Sequence, residues 1–295
     1  MLAYKMSLSP PLAPEPAEQF AEAIASVRTH AVTWRQLFPT HRLPVLSKTP
    51  LLIALGLTLT GGQFELRTVG GAMLLFSLLW ASLYALNEAT DLALEQGKNV
   101  PRSFYFALCL LPCLFCALAG SLSMRLLLPF CITTLGQFAY CLPPFRLKRW
   151  WWAILLLSGI LNPILRLEAG AIWGLHSIPL LAYAAFVSLH LGAALRARSL
   201  QRARDARLGY HVVPTGSDIL GVLCTASGVC ATFLLCRSLV LPGPTIWFLI
   251  PCVGIAIYAW SGRAKSMADL RQGWLWFAVL AGIALLILIR ERGTR

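Results

Sequence analysis

Residues 83–103 read "LYALNEATDLALEQGKNVPRS", the end of a long apolar run that then places Asn87, Asp91 and Glu95 four residues apart. If the helix predicted for the apolar run continues through them, positions i, i+4 and i+8 share one face. Carboxylates stacked in this way repel unless a cation lies between them. Magnesium meets that need, because it takes oxygen ligands and is usually shared between carboxylates and substrate phosphates. The plainer reading is a solvated helix end with incidental acids. Against it stands scarcity: the 295-residue chain holds only 12 Asp and Glu, and ionisable groups at a membrane span are functional candidates by default.

The composition says what surrounds this stretch. Hydrophobic residues make up 58% of the chain and charged ones 13%, with mean hydropathy +0.70; soluble domains average about 25% charged. Lipid offers no partners to backbone polar groups, which leaves helices or closed barrels, and the apolar runs are continuous rather than alternating. The sequence therefore predicts an all-α polytopic membrane protein. Nine apolar segments, near 49–64, 70–87, 103–121, 125–141, 150–169, 177–195, 216–236, 244–260 and 273–289, approach the roughly 20 residues that cross hydrocarbon. The first is short, and the fifth is interrupted by Asn162-Pro163 and Arg166.

Most basic residues fall in the loops after even-numbered segments and in the N-terminal region, which predicts a cytoplasmic N-terminus. The net charge of +13 is thereby explained by orientation and anionic headgroups, and nucleic acid is not expected as a partner. Residues 1–48 hold prolines and charges rather than the apolar core of a cleavable signal. They are expected to form a cytoplasmic segment ahead of a membrane domain at 49–295. Within it Phe20, Ile24, Val27, Trp34 and Leu37 recur at helical spacing, predicting a helix over 20–37 that lies on the membrane face or packs over the bundle mouth. Cys109, Cys113 and Cys116 share a helix face and are read as small apolar residues rather than a metal trio.

A second constellation is "YCLPPFRLKRWWW", 140–152. Tyr140 ends the fourth segment, Pro143-Pro144 forbid a helix, and Arg146, Lys148 and Arg149 follow with charges suited to neutralising a diphosphate. Trp150, Trp151 and Trp152 read as an interfacial aromatic belt. Taken together, "NEATDLALE" and "YCLPPFRLK" resemble the two cytoplasmic signatures of the UbiA superfamily of intramembrane prenyltransferases. Glu95 stands in the last acidic place of the first and Cys141 replaces a serine in the second. "NPILRLEAG" adds Asn162 and Arg166 at positions where that family often keeps polar residues, and the resemblance spans roughly 50–215.

The resemblance implies a nine-helix bundle with a cytoplasmic cap around a cavity open to the membrane, in the bacterial cytoplasmic (inner) membrane. It implies Mg2+ as cofactor, a prenyl diphosphate as donor and a lipophilic, commonly aromatic, acceptor. Asn87, Asp91 and Glu95 would hold metal. Lys98, Arg102, Arg146 and Lys148 would bind diphosphate, while Tyr140, Asn162 and Arg166 would line the cavity. His190, two turns before Arg198, is read as a satisfied polar contact in the cap ahead of the alternative, a cavity base acting on an acceptor phenol.

The family's second acidic motif is depleted. In "RARSLQRARDARLGYHVVP", 196–214, Asp205 fills its last aspartate place, while Arg198 and Gln201 fill the earlier two. Three readings follow. Arg198 and Arg202 replace a second ion, since an arginine fork binds phosphate oxygens bidentately, with Asp205 as a further metal candidate. Alternatively the reaction differs, as in isoprenoid cyclisation or transfer of a phosphosugar. In the third, the protein is a noncatalytic isoprenoid-binding or transport protein. Position favours the enzyme, because a transporter's acids lie near mid-membrane and these lie at the ends of the spans.

Overall fold

The structure, a computed structural model, describes residues 32–38, 43–238 and 243–293. Helix α1 (Lys48–Leu59) is buried along nearly its whole length. Lipid is as apolar as a leucine side chain, so membrane helices associate by close approach rather than by hydrophobic exclusion. Two glycines provide that approach here. A Cβ on Gly56 would lie 2.1 Å from the Leu167 carbonyl oxygen, and one on Gly170 would lie 2.0 Å from that of Ile53.

Helix α2 (Gly71–Gln96) is entered through a wide turn at Leu66–Gly70 and runs past the predicted end at residue 87. It stops at Gly97, whose φ of 65° is left-handed, and the amides of Gly97 and Lys98 return to the Leu92 carbonyl. Glycine takes this conformation without a Cβ penalty, which is why the helix ends there. The extension carries Asn87, Asp91 and Glu95 on one helix, as the sequence spacing requires.

Helix α3 (Arg102–Leu122) exposes Phe106, Leu110, Leu114 and Leu118, a four-residue repeat that turns one apolar face outward. Helix α4 (Leu127–Cys141) ends before Pro143-Pro144, as proline's missing N–H demands. Helix α5 (Trp151–Ala171) is continuous through the predicted interruption. Its middle, Leu155–Leu161, widens so that the Asn162 amide reaches the Leu157 carbonyl. That re-registration precedes Pro163 and accommodates its lost donor inside the helix.

Helix α6 (Leu180–Ser199) turns at Leu200 and Gln201 into a short helix, Arg202–Arg207. Helices α7 (Ser217–Ser238), α8 (Gly243–Trp260) and α9 (Met267–Gly293) follow. Nine long helices thus stand among the described residues, and six are long and apolar enough to cross a membrane: Leu66–Gln96, Arg102–Leu122, Trp151–Ala171, Leu180–Ser199, Ser217–Arg237 and Met267–Ile287. The other three correspond to expected spans but are shorter. Helices α1 and α4 have 12 and 15 residues, and α8 has 18.

Of the predicted amphipathic segment, Phe20, Ile24 and Val27 lie outside the described residues. Val32 and Leu37 are buried against Ala85, Leu86, Ala89, Leu92 and Leu108, and Trp34 stacks on Phe104 at 4.1 Å. The described part therefore packs over the ends of α2 and α3.

Candidate functional site

Helices α2, α4, α5, α6, α8 and α9 surround a cavity of about 280 Å³. Its mouth is charged, lined by Asp91 and Glu95 from α2, Lys148 from the loop after α4, Arg198 from α6, and Arg204, Asp205 and Tyr210 from the segment beyond it. Farther in, the walls mix aromatic and polar groups: Trp80, Tyr84, Trp274, Gln137, Asn162 and His190.

Lys148 is only 4% exposed. Its ammonium pairs with Asp91 and lies 3.4 Å from Glu95 Oε1, so it sits between the two carboxylates. Asn87 Nδ2 donates to Asp91 Oδ2 at 3.2 Å, and the Cys141 thiol donates to Asn87 Oδ1 at 3.5 Å. Glu95 is the hub. Tyr210 donates to its Oε1 at 2.6 Å, Arg146 lies 3.5 Å from the same oxygen, and Arg204 pairs with Oε2. Arg204 also reaches to 3.9 Å from Asp91 Oδ2.

Arg146 holds a left-handed backbone, φ 38° and ψ 53°, which costs a residue with a Cβ roughly 1–2 kcal/mol. The reward is position: its Nη2 donates to the Tyr210 hydroxyl at 2.6 Å. Burial first, and then the bond to Glu95, push the Tyr210 hydroxyl above its ordinary value. It stays a proton donor.

Of the arginines in 196–207, Arg198 donates from Nη1 to Asp205 Oδ2 at 3.0 Å and from Nη2 to the Tyr140 hydroxyl at 3.2 Å. Arg202 turns away from the cavity, donating to the Pro214 and Thr215 carbonyls and to Ser217, and it pairs with Asp218 at 3.2 Å. Arg196 holds the Ala259 and Ala264 carbonyls. Lys98 and Arg102 lie outside the cavity wall, and Arg102 is exposed. His211 stacks on Trp150 at 3.8 Å.

The structure thus gathers Asn87, Asp91, Glu95, Arg146, Lys148, Tyr140, Arg198 and Asp205 at one mouth. Sequence reasoning missed Arg204, Tyr210 and Lys48, which also lines the cavity and lies over the Trp274 ring at 3.7 Å.

Arg166 is fully buried behind the wall. Its Nε donates to Thr49 at 3.1 Å, and its guanidinium lies over Trp80 at 4.3 Å. His190 Nδ1 is 2.9 Å from the Phe186 carbonyl. A carbonyl only accepts, so the neutral ring carries its proton on Nδ1, and the buried Nε2, which has no hydrogen-bond partner, keeps a lone pair.

The donors Asn87, Asp91 and Glu95 are oxygen ligands suited to one hard divalent ion. Asp205 does not join them, being held by Arg198. Among the described residues no three His, Cys, Asp or Glu side chains group closely enough to hold an ion alone, so any ion here needs ligand oxygens to complete its shell.

No protein-family model matches the sequence, and no curated protein matches it by sequence. Solved structures do match in fold. A UbiA homolog from Archaeoglobus fulgidus bound to Cd2+ superposes with TM-score 0.69 at 15% identity, covering 88% of this chain and 99% of that one. The homolog bound to GPP and Mg2+ gives TM-score 0.61 at 14% identity over 86% of this chain and 99% of that one. With DMAPP and Mg2+ the score is 0.59 at 14% identity, with the same coverage. The chain has the UbiA fold.

Proposed function

We propose that this chain is a UbiA-type intramembrane prenyltransferase that moves a prenyl group from an allylic diphosphate to a lipophilic acceptor. The carrying observation is one cavity whose charged mouth, Asp91, Glu95, Lys148, Arg198 and Arg204, opens onto aromatic walls at Trp80, Tyr84 and Trp274. That polarity fits a molecule with an anionic head and an apolar tail. The solved homologs hold such donors, DMAPP and GPP, together with Mg2+.

Asn87, Asp91 and Glu95 would hold a magnesium ion, which when bound stabilises negative charge on the departing diphosphate. Lys148, Arg146, Arg198 and Arg204 face the same oxygens and do the same electrostatic work from fixed positions. The allylic C–O bond breaks with its electron pair leaving on diphosphate, and a nucleophilic atom of the acceptor bonds to the allylic carbon. The proton displaced from the acceptor leaves on an oxygen of the departing diphosphate. Trp80 and Trp274 keep water from the cation. The distribution of basic residues supports a mouth at the cytoplasmic face of a bundle with nine crossings.

The test is ligand-induced thermal stabilisation of the purified protein. Geranyl, farnesyl, geranylgeranyl and phosphoribosyl diphosphates are compared with magnesium present. Stabilisation by a prenyl donor, lost in Asp91→Ala, supports the reading. Stabilisation by phosphoribosyl diphosphate alone makes the protein a phosphosugar transferase, and no response from any donor refutes a donor site.

A further inference from the structure

We infer that the diphosphate site is built on side-chain cations, with Arg198 and Arg204 in place of a second metal ion, so that the bound head group carries no more than one divalent ion. This rests on the prenyl diphosphate reading above but deepens it, because it assigns Arg204 and fixes the metal count.

Charge is the first argument. Among the described residues of the mouth, Arg146, Lys148, Arg198 and Arg204 meet Asp91, Glu95 and Asp205 in ion pairs. Four cations against three carboxylates leave the mouth positive, and Lys48 farther in adds another charge. A site meant to gather two divalent ions needs surplus carboxylate. This one has surplus base.

Geometry is the second. Asp205 is 3% exposed and bound by the Arg198 guanidinium. The Arg198 guanidinium offsets that carboxylate's charge through Oδ2, while the buried Oδ1 has no hydrogen-bond partner, so Asp205 offers the cavity one oxygen of a neutralised pair. Arg198 has five N–H donors, and its bonds to Asp205 and Tyr140 use two, which leaves donors for a ligand in the cavity it lines.

Arg204 is the most exposed of the four cations. It stands on the short helix Arg202–Arg207 with its side chain 45% exposed, so it can leave Glu95 for a phosphate without dismantling packed structure. When it does, Glu95 retains Tyr210, Arg146 and Lys148. The permanent charge and planar fork of arginine suit this exchange of carboxylate for phosphate.

The test counts metal ions. Mn2+ is titrated into the full-length protein with saturating geranyl diphosphate and followed by electron paramagnetic resonance, while donor affinity is measured by calorimetry in magnesium and in EDTA. One Mn2+ per bound donor is expected, with weakened but measurable binding in EDTA. Arg204→Gln is expected to weaken binding about 10- to 100-fold, the loss of one charge-assisted contact, by similar factors with and without metal. Arg198→Gln/Asp205→Asn, which leaves no buried charge unpaired, is expected to do the same. Two Mn2+ per donor, or unchanged affinity in Arg204→Gln, overturns the inference while leaving the function intact. No binding of geranyl or inorganic diphosphate under any condition instead removes the functional reading on which it rests.

Discussion

Replacing Lys148 with methionine separates the charge of this side chain from its bulk. Lys148 is almost wholly buried, and its ammonium is the nearest cation to Asp91. Breaking one side of a buried ion pair typically costs about 3–5 kcal/mol, because the remaining charge has lost both water and partner. Here Glu95 keeps Arg146, Arg204 and Tyr210, so the loss falls on Asp91, which retains Asn87 at 3.2 Å and Arg204 at 3.9 Å. The low end, about 3 kcal/mol, is therefore expected. At roughly 2–4 °C per kcal/mol for a chain of this order of size, the midpoint falls by about 6–12 °C, read as intrinsic fluorescence of the detergent-purified protein on heating. Asp91→Asn/Lys148→Met, with no charge left to strand, should recover most of that loss. Magnesium should raise the midpoint of Lys148→Met more than that of the native protein, since the ion can stand where the ammonium stood and stabilises by mass action. A double variant no more stable than the single one, or an unshifted single variant, would refute the role given to this pair.

Arg166→Met removes a fully buried guanidinium that meets Thr49 and the Trp80 ring but forms no ion pair with a carboxylate among the described residues. Stability should hold or rise by about 1–3 kcal/mol, as when other buried charges are replaced by apolar groups; a marked fall in the unfolding midpoint would contradict this. Gly170→Val forces a side chain into the Ile53 carbonyl and should cost at least about 2 kcal/mol by driving α1 from α5, seen as a lowered midpoint or loss of the monodisperse species. Tyr210 supplies a pH test. Because its folded-state value is raised, the folded protein holds the proton more tightly than the unfolded chain. Its contribution is present below about pH 10 and is lost as pH rises through the folded value. The stability difference between the native protein and Tyr210→Phe should therefore shrink above about pH 10, and a difference that grows there would reverse the assignment.

Periodicity carried most of the architecture. The apolar runs predicted where helices lie, and if the helix continues past residue 87 it puts Asn87, Asp91 and Glu95 on one face, as α2 does. What hydropathy does not carry is length near functional termini. Helix α1 stops at Leu59, short of the predicted residue 64, whereas α4 ends at Cys141 as expected. The fifth segment was legible as a helix but not as one that widens at Leu155–Leu161, since that adjustment depends on which carbonyl the Asn162 amide reaches beside Pro163, which has no donor. Residues 32–38 packed on α2 and α3 because Val32, Trp34 and Leu37 found apolar partners there.

The arginine assignment shows where one-dimensional reasoning ends. Arg198 and Arg202 are four apart, which in an unbroken helix aims both at the same cavity. The chain turns at Leu200 and Gln201, however, and that turn resets the helical phase: Arg202 swings to the Pro214–Asp218 segment and Arg204 takes the inward place. The sequence around it, "SLQRARD", contains neither proline nor glycine to announce the turn. The inward choice is electrostatic as well as geometric. Arg204 meets Glu95 and Asp91, the carboxylates at the mouth, whereas Arg202 meets Asp218 at the head of α7. Two chemically identical side chains, two residues apart, thus take different partners: Arg202 holds the segment that leads into α7, and Arg204 holds the α2 carboxylates at the cavity mouth.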